Sequence, residues 1–262
     1  MKKILTLVMI ITLMCGLLVS CIGDILNSAE SLITKASETL KSAPYKVTMK
    51  MNFECDNEEV NDILSAMNME IPVTIDGENI LMVMTMEMMG ESISTTATVV
   101  DKIMYYDINV GGQIMKIKAP LTDEQYKDFM EEQNTANMMV NPEDFATLTV
   151  KKIDGKHHIA CGEITEDGLE KINDMVADSL GSLDADAEFS NISYEIILKD
   201  GKYESMILNC DYAIIIEGLT CNINFEIIAE YTYDNVGKVV APSDAESYME
   251  VGYDDIYDDI IG

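Results

Sequence analysis

The chain has 262 residues, 48% of them hydrophobic, enough to bury the core of one large domain or two small ones. It sets 47 Asp and Glu against 17 basic residues, a formal net charge of −30, so it repels phosphate backbones and anionic lipid surfaces, and nucleic-acid binding is excluded. Every basic residue is Lys, which excludes an Arg fork for phosphate or carboxylate.

Met1-Lys2-Lys3 is followed by an uncharged, mostly aliphatic run from Ile4 to Val19. This is the layout of a secretory signal. The run is short of the ~20 apolar residues that span a bilayer, and a retained membrane anchor is the alternative reading. Leu18-Val19-Ser20-Cys21 resembles a bacterial lipobox: branched apolar residues, a small residue, then Cys. Cys15 fits less well, because Met14 stands where a small residue is wanted. The resemblance implies removal of residues 1–20 and acylation of Cys21 by diacylglycerol and palmitate-type chains. Several chains on one cysteine give stable membrane attachment. The expected location is the extracytoplasmic face of the cell membrane.

Cys55, Cys161, Cys210 and Cys221 then lie where disulfides are permitted. Three pairings are possible and the sequence does not choose among them. Cys55 sits on the apolar side of an alternating segment, which equally suits a buried thiol. No C-x-x-C spacing supports a zinc ribbon or a redox motif.

In chain order, Leu32, Ile33, Ala36 and Leu40 make one stripe at helical spacing, and Pro44 ends the helix, expected over 28–41. From Tyr45 the period becomes two: Tyr45, Val47, Met49, Met51, Phe53 and Cys55 alternate with polar residues. A short run at 71–75 and the Asp76-Gly77 turn lead to a strand with Ile80, Met82, Met84, Met86 and Met88 on one face. Strands follow at 92–100, 103–110 and 113–118, the last two joined by Gly111-Gly112. Thr122 and Gln125 have capping-box spacing for a helix at 122–132. Strands resume at 145–153 and 156–163, and Thr165 caps a third helix at 165–180. Residues 182–188 read as an acidic loop, before long strands at 189–199, 203–216 and 219–234. The turns are short except at the helical excursions, which predicts an antiparallel meander of about eleven strands, an α+β fold.

An amphipathic helix behind an acylated cysteine, then such a meander, resembles the LolA/LolB and LppX-type lipoprotein superfamily. Within it the chain is most like secreted lipoproteins of Gram-positive bacteria. The phrases that carry this are Lys41-Ser42-Ala43-Pro44-Tyr45, Lys102-Ile103-Met104-Tyr105-Tyr106, Gly111-Gly112-Gln113, Pro120 through Tyr126, and Tyr231-Thr232-Tyr233-Asp234. The resemblance spans about residues 28–242 and rests on structural motifs. It implies a strongly curved half-barrel with helices on its concave face, where known relatives hold acyl chains. The layout is then a signal at 1–20, lipidated Cys21 with tether and first helix at 21–44, the half-barrel at 45–242, and an acidic tail at 243–262. The carrier member of the superfamily works between two membranes, so its role does not transfer to a cell with one.

The 20 Met are the most distinctive feature of the composition. Met is flexible and polarizable and suits an adaptable apolar surface, though on strands it more often fills core. Met49, Met51, Met82, Met84, Met86 and Met88 are the candidate ligand-binding residues. His157 and His158 are neighbours on a strand and point to opposite faces, so they do not chelate one ion together. The acids at Asp184, Asp186 and the tail lack the spacing of a calcium loop and read as solvated charge. No nucleophile elbow, P-loop or dinucleotide fingerprint occurs. The expectation is a non-enzymatic, membrane-anchored lipoprotein with no metal and no cofactor, binding an acyl chain or apolar peptide. The alternative is a structural or interaction lipoprotein of envelope or sporulation assembly, its cavity filled by its own side chains.

Overall fold

The structure is a computed structural model that describes residues 28–57, 61, 69–88, 91–135, 145–170, 173, 185–216 and 219–253. The signal, Cys15, Cys21, most of the third helix, Asp184 and the acids from Asp254 to Asp259 lie outside them.

One curved, unclosed sheet of twelve strands forms the body. Its strands are β1 (Tyr45–Cys55), β2 (Met69–Asp76), β3 (Asn79–Met88), β4 (Glu91–Val100), β5 (Ile103–Val110), β6 (Gln113–Pro120), β7 (Leu148–Ile153), β8 (Lys156–Cys161), β9 (Ala185–Lys199), β10 (Lys202–Ile216), β11 (Leu219–Thr232) and β12 (Met249–Glu250). Helix α1 (Ser28–Ser42) precedes the sheet, α2 (Asp123–Thr135) follows β6, and residues 166–170 are helical. Across the sheet the order is β12-β6-β5-β4-β3-β2-β1-β11-β10-β9-β8-β7. Two meanders, β1–β6 and β7–β11, therefore meet along the β1–β11 seam, where Tyr231 stands opposite Val47 and Phe225 opposite Phe53.

The eleven long strands pair antiparallel, as their alternation predicts. The expectation of a purely antiparallel sheet needs one correction. Met249 and Glu250 run parallel to Ile117 and Lys118 on β6, making the sheet mixed. A second difference is the start of β9, which begins at Ala185 inside the stretch expected to be loop. Asp186 and Ala187 pair with Ile215 and Ile214, so the long partner β10 recruits residues with little strand propensity of their own.

The turns follow their chemistry. Asp154-Gly155 and Asp200-Gly201 both take positive φ at the two loop positions, the twist that matches paired strands. Pro72 sits inside β2 opposite Thr48, yet the β2–β3 pairing starts only at Val73. Its missing N–H thus falls where the β3 side of the strand has no ladder.

One face of the sheet carries the main core. Tyr45, Val47, Met49, Met51 and Phe53 of β1 join Ile227 and Ala229 of β11, Met206 of β10 and Ile196 of β9. Ala29, Ile33 and Ala36 of α1 complete it, and α1 packs against β10 and β7. The Ser37 hydroxyl lies 2.9 Å from the Tyr203 hydroxyl, fixing the helix to β10. Phe53 and Phe225 stack with centroids 4.7 Å apart, and Tyr203 and Tyr45 both approach Tyr231. This helix-covered face is called the inner face below.

Helix α2 covers a second part of the same face. Tyr126 buries against Val99 of β4, Met104 of β5 and Leu121, with Phe129, Met130 and Ile80 around it. The capping box forms as the spacing predicts: Gln125 N–H donates to Thr122 Oγ1 at 3.1 Å, and Thr122 N–H donates to Gln125 Oε1 at 3.0 Å. The Tyr126 hydroxyl donates to the carbonyl of Glu78 at 3.0 Å, and Lys102 pairs with Asp123 at 2.6 Å. Thr165 caps its helix through the Gly168 N–H at 3.1 Å.

Candidate functional site

Strand pairing aligns the inner-face side chains of β3 to β6 in rows. Next to α2 runs Ile80–Val99–Met104–Ala119, followed by Met82–Ala97–Tyr106–Ile117 and then Met84–Thr95–Ile108–Met115. The last is Met86–Ile93–Val110–Gln113. The first row is buried where α2 covers it, apart from the half-buried Ile80. Beyond it the cover thins. Met82, Met84, Ile93, Tyr106 and Ile108 are half-buried, and Met115 and Val110 reach 40% and 42% exposure. The result is a partly open apolar strip between α2 and the Gly111-Gly112 turn. Both glycines take positive φ, which closes the β5–β6 hairpin.

The six Met singled out from the sequence therefore separate. Met49 and Met51, at 1% and 0% exposure, are core in the cluster that α1 completes. Met86 is buried as well. Met82 and Met84 flank the open strip. Met88 ends β3, and its side chain lies outside the described residues. Thr85, between Met84 and Met86, points to the opposite face and is exposed. Ile108, Val110 and Met115 belong to the strip without having been singled out. Their signal was the hairpin register through Gly111-Gly112, which puts Met115 opposite Ile108.

The outer face is a polar ladder. Asp211 on β10 accepts from Asn191 of β9 and Asn224 of β11, each at 2.8 Å. These two amides hold the Asp211 carboxyl below its ordinary range. Asn52 donates to Glu226 at 2.9 Å, and Lys50 pairs with Glu230 across the seam. At the β6 edge of this face, Lys116 lies 3.5 Å from Asp107 and 2.6 Å from Asp244. Its ammonium stands over the Tyr248 ring, 5.2 Å from the centroid. The tail thus straps the outer face through the turn at Ala245–Ser247.

His158 Nδ1 lies 3.2 Å from Glu195 and takes the outward direction, while His157 stands in register with Leu198 of the inner face. Among the described residues no three His, Cys, Asp or Glu converge as a metal site. Cys55, Cys161, Cys210 and Cys221 are all thiols.

The architecture is an α+β half-barrel-like sheet, unclosed, with helices on one face. Residues 28–249 match the model of a family of unknown function, DUF6612, and the chain belongs to that family. No curated protein matches it. The structure of the ywiB protein from Bacillus subtilis is similar at 10% identity and a TM-score of 0.22, over 72% of this chain and 91% of that one. The structure of MucB in complex with MucA(peri) gives 8% identity and a TM-score of 0.12, over 82% and 99%. At such TM-scores neither likeness carries an argument. No helix among the described residues is long and apolar enough to cross a membrane.

Proposed function

We propose that this protein is an extracytoplasmic lipoprotein, anchored through Cys21, that receives an apolar guest on the strip of Met82, Met84, Ile93, Ile108 and Met115. The observation that supports the guest is the graded cover of the inner face. The row next to α2 is sealed, and the rows beyond it are partly open toward Val110 and Met115. Exposed apolar side chains in aligned rows invite an acyl chain or an apolar peptide segment, and Met adapts to either. With Lys as the only cation and acids in surplus, recognition is by tails rather than by headgroup phosphate. The lipobox resemblance supports the anchor, and the superfamily resemblance supports a tail-binding face.

Native mass spectrometry of the protein purified from its own host tests the guest. A persistent adduct of lipid or peptide mass supports binding. A clean protein mass, together with no uptake of a fluorescent fatty acid, overturns it and leaves the structural reading. That reading has its own support in the closed packing of Met49 and Met51. The anchor is tested separately: Cys21→Ala should abolish acylation and membrane retention. Unchanged processing and retention would show that the lipobox reading is wrong.

A further inference from the structure

Cys55 is the last residue of β1, and Cys221 lies near the start of β11. The register pairs Cys55 with Ile223, so Cys221 is its diagonal neighbour on the same inner face. The Cys55 thiol donates to Asp56 Oδ1 at 3.7 Å. A carboxylate clamp holds the strand ends together at this point. Asp56 accepts from the Asn222 N–H at 3.1 Å and from its side-chain amide at 2.7 Å, while the Asp56 N–H donates to the Asn222 carbonyl at 3.2 Å. The Asn57 N–H is aimed at Cys55 Sγ at 3.5 Å, and Asn61 accepts from the Cys55 N–H at 2.9 Å.

The other two described cysteines are out of reach. Cys210 is in register with Phe225, four residues along β11 from Cys221, a span of ~13 Å at ~3.3 Å per residue. Cys161 is on β8, four strands from β1, or ~19 Å at ~4.8 Å per strand. Cys210 is buried, and burial pushes its thiol up to about 12, which keeps it inert. Cys55 is half-buried and open to a small reagent, whereas Cys221 is buried.

We propose that Cys55 and Cys221 are a redox pair that closes to a disulfide across the seam, with Cys55 as the attacking thiol and Cys221 as the resolving one. The oxidant is a small or protein disulfide. Cys55 gives up its proton, and its sulfur attacks the oxidant, forming a mixed disulfide and expelling one thiolate. Cys221 then loses its proton and attacks the Cys55 sulfur, expelling the second thiolate. Two protein thiols are oxidised by two electrons, and one disulfide is reduced to two thiols, which take up the two protons. Diagonal neighbours in a ladder stand slightly wide for a disulfide, so closure requires a small backbone shift. The end of β1, where the Asp56–Asn222 clamp is the last link of the seam, is the place to accommodate it. Burial, and then the neighbouring Cys55, raise the Cys221 thiol, in keeping with a resolving rather than an attacking role.

The test uses the full chain with oxidised glutathione, followed by alkylation under denaturing conditions, digestion and mass spectrometry. The expected product is a linked peptide pair containing Cys55 and Cys221, two hydrogens lighter than the separate peptides, with Cys161 and Cys210 alkylated. Cys221→Ser should trap Cys55 as a stable glutathionyl adduct, and Cys55→Ser should show neither link nor adduct at Cys221. Links that involve Cys161 or Cys210 instead, or Cys55 and Cys221 both left as thiols while the trapped adduct fails to form in Cys221→Ser, would overturn the proposal.

Discussion

The Tyr248 hydroxyl donates a 2.6 Å hydrogen bond to Asp107 Oδ2, joining residues 141 positions apart in the chain. The Tyr248 ring meets Tyr105 edge-on at 5.4 Å, so one side chain ties the tail to β5 by polar and apolar contact at once. Tyr248→Phe keeps the ring and removes the donor, at an expected cost of about 1–2 kcal/mol in urea unfolding. Tyr248→Ala removes both and should cost about 3–5 kcal/mol. Burial first, and then the bond to Asp107, raise the Tyr248 phenol above its ordinary value. A raised folded value gives stability that is complete below the unfolded pKa and lost above it. The gap between the parent and Tyr248→Phe should therefore hold at neutral pH and narrow above about pH 10.

Met49 and Met84 occupy the same face but different surroundings, one sealed and one half-open. Met49→Ala should destabilise by about 2–5 kcal/mol, because the cavity cannot collapse in close packing. Met84→Ala should cost less than about 1.5 kcal/mol and weaken uptake of an apolar probe. Equal losses of stability in the two variants would contradict the open strip.

Asp211 provides a test in acid. Its carboxyl is held low by the amides of Asn191 and Asn224. A lowered folded value contributes stability above the unfolded pKa and loses it as pH falls through the folded one. Asp211→Ala should be less stable than the parent at pH 7, and the difference should close below about pH 4 in a series of denaturation curves.

Thr122→Ala removes the cap of α2 and leaves the Gln125 N–H without its oxygen acceptor. The expected loss is about 1 kcal/mol. Hydrogen exchange should speed up in the first turn of α2 before it does so in β4 or β5, because the cap lies outside the sheet ladder.

The eleven long strands were legible because half-buried antiparallel strands alternate strictly, and β1 alternates without a break from Tyr45 to Cys55. β12 was not legible, since two residues show no period and its pairing depends on where the tail returns. Asp186 and Ala187 read as loop because their strand is imposed by Ile214 and Ile215 opposite. At the candidate site, the alternation correctly placed Met82, Met84 and Met86 on one face. What separated Met49 from Met84 was the position of α1 and α2 over that face, a tertiary fact that strand periodicity does not encode.

The β1–β11 seam also bears on how the chain assembles. Within each meander most neighbouring strands, all but β1–β2 and β8–β9, meet through short turns, and hairpins of that kind form in microseconds. The seam requires partners such as Lys50 and Glu230, 180 positions apart. Synthesis from the N-terminus leaves β1 as a bare, apolar-faced edge until nearly the whole chain has emerged. The two half-sheets therefore dock along one line late in assembly, and the waiting edge of β1 is where a premature encounter with another chain does its damage.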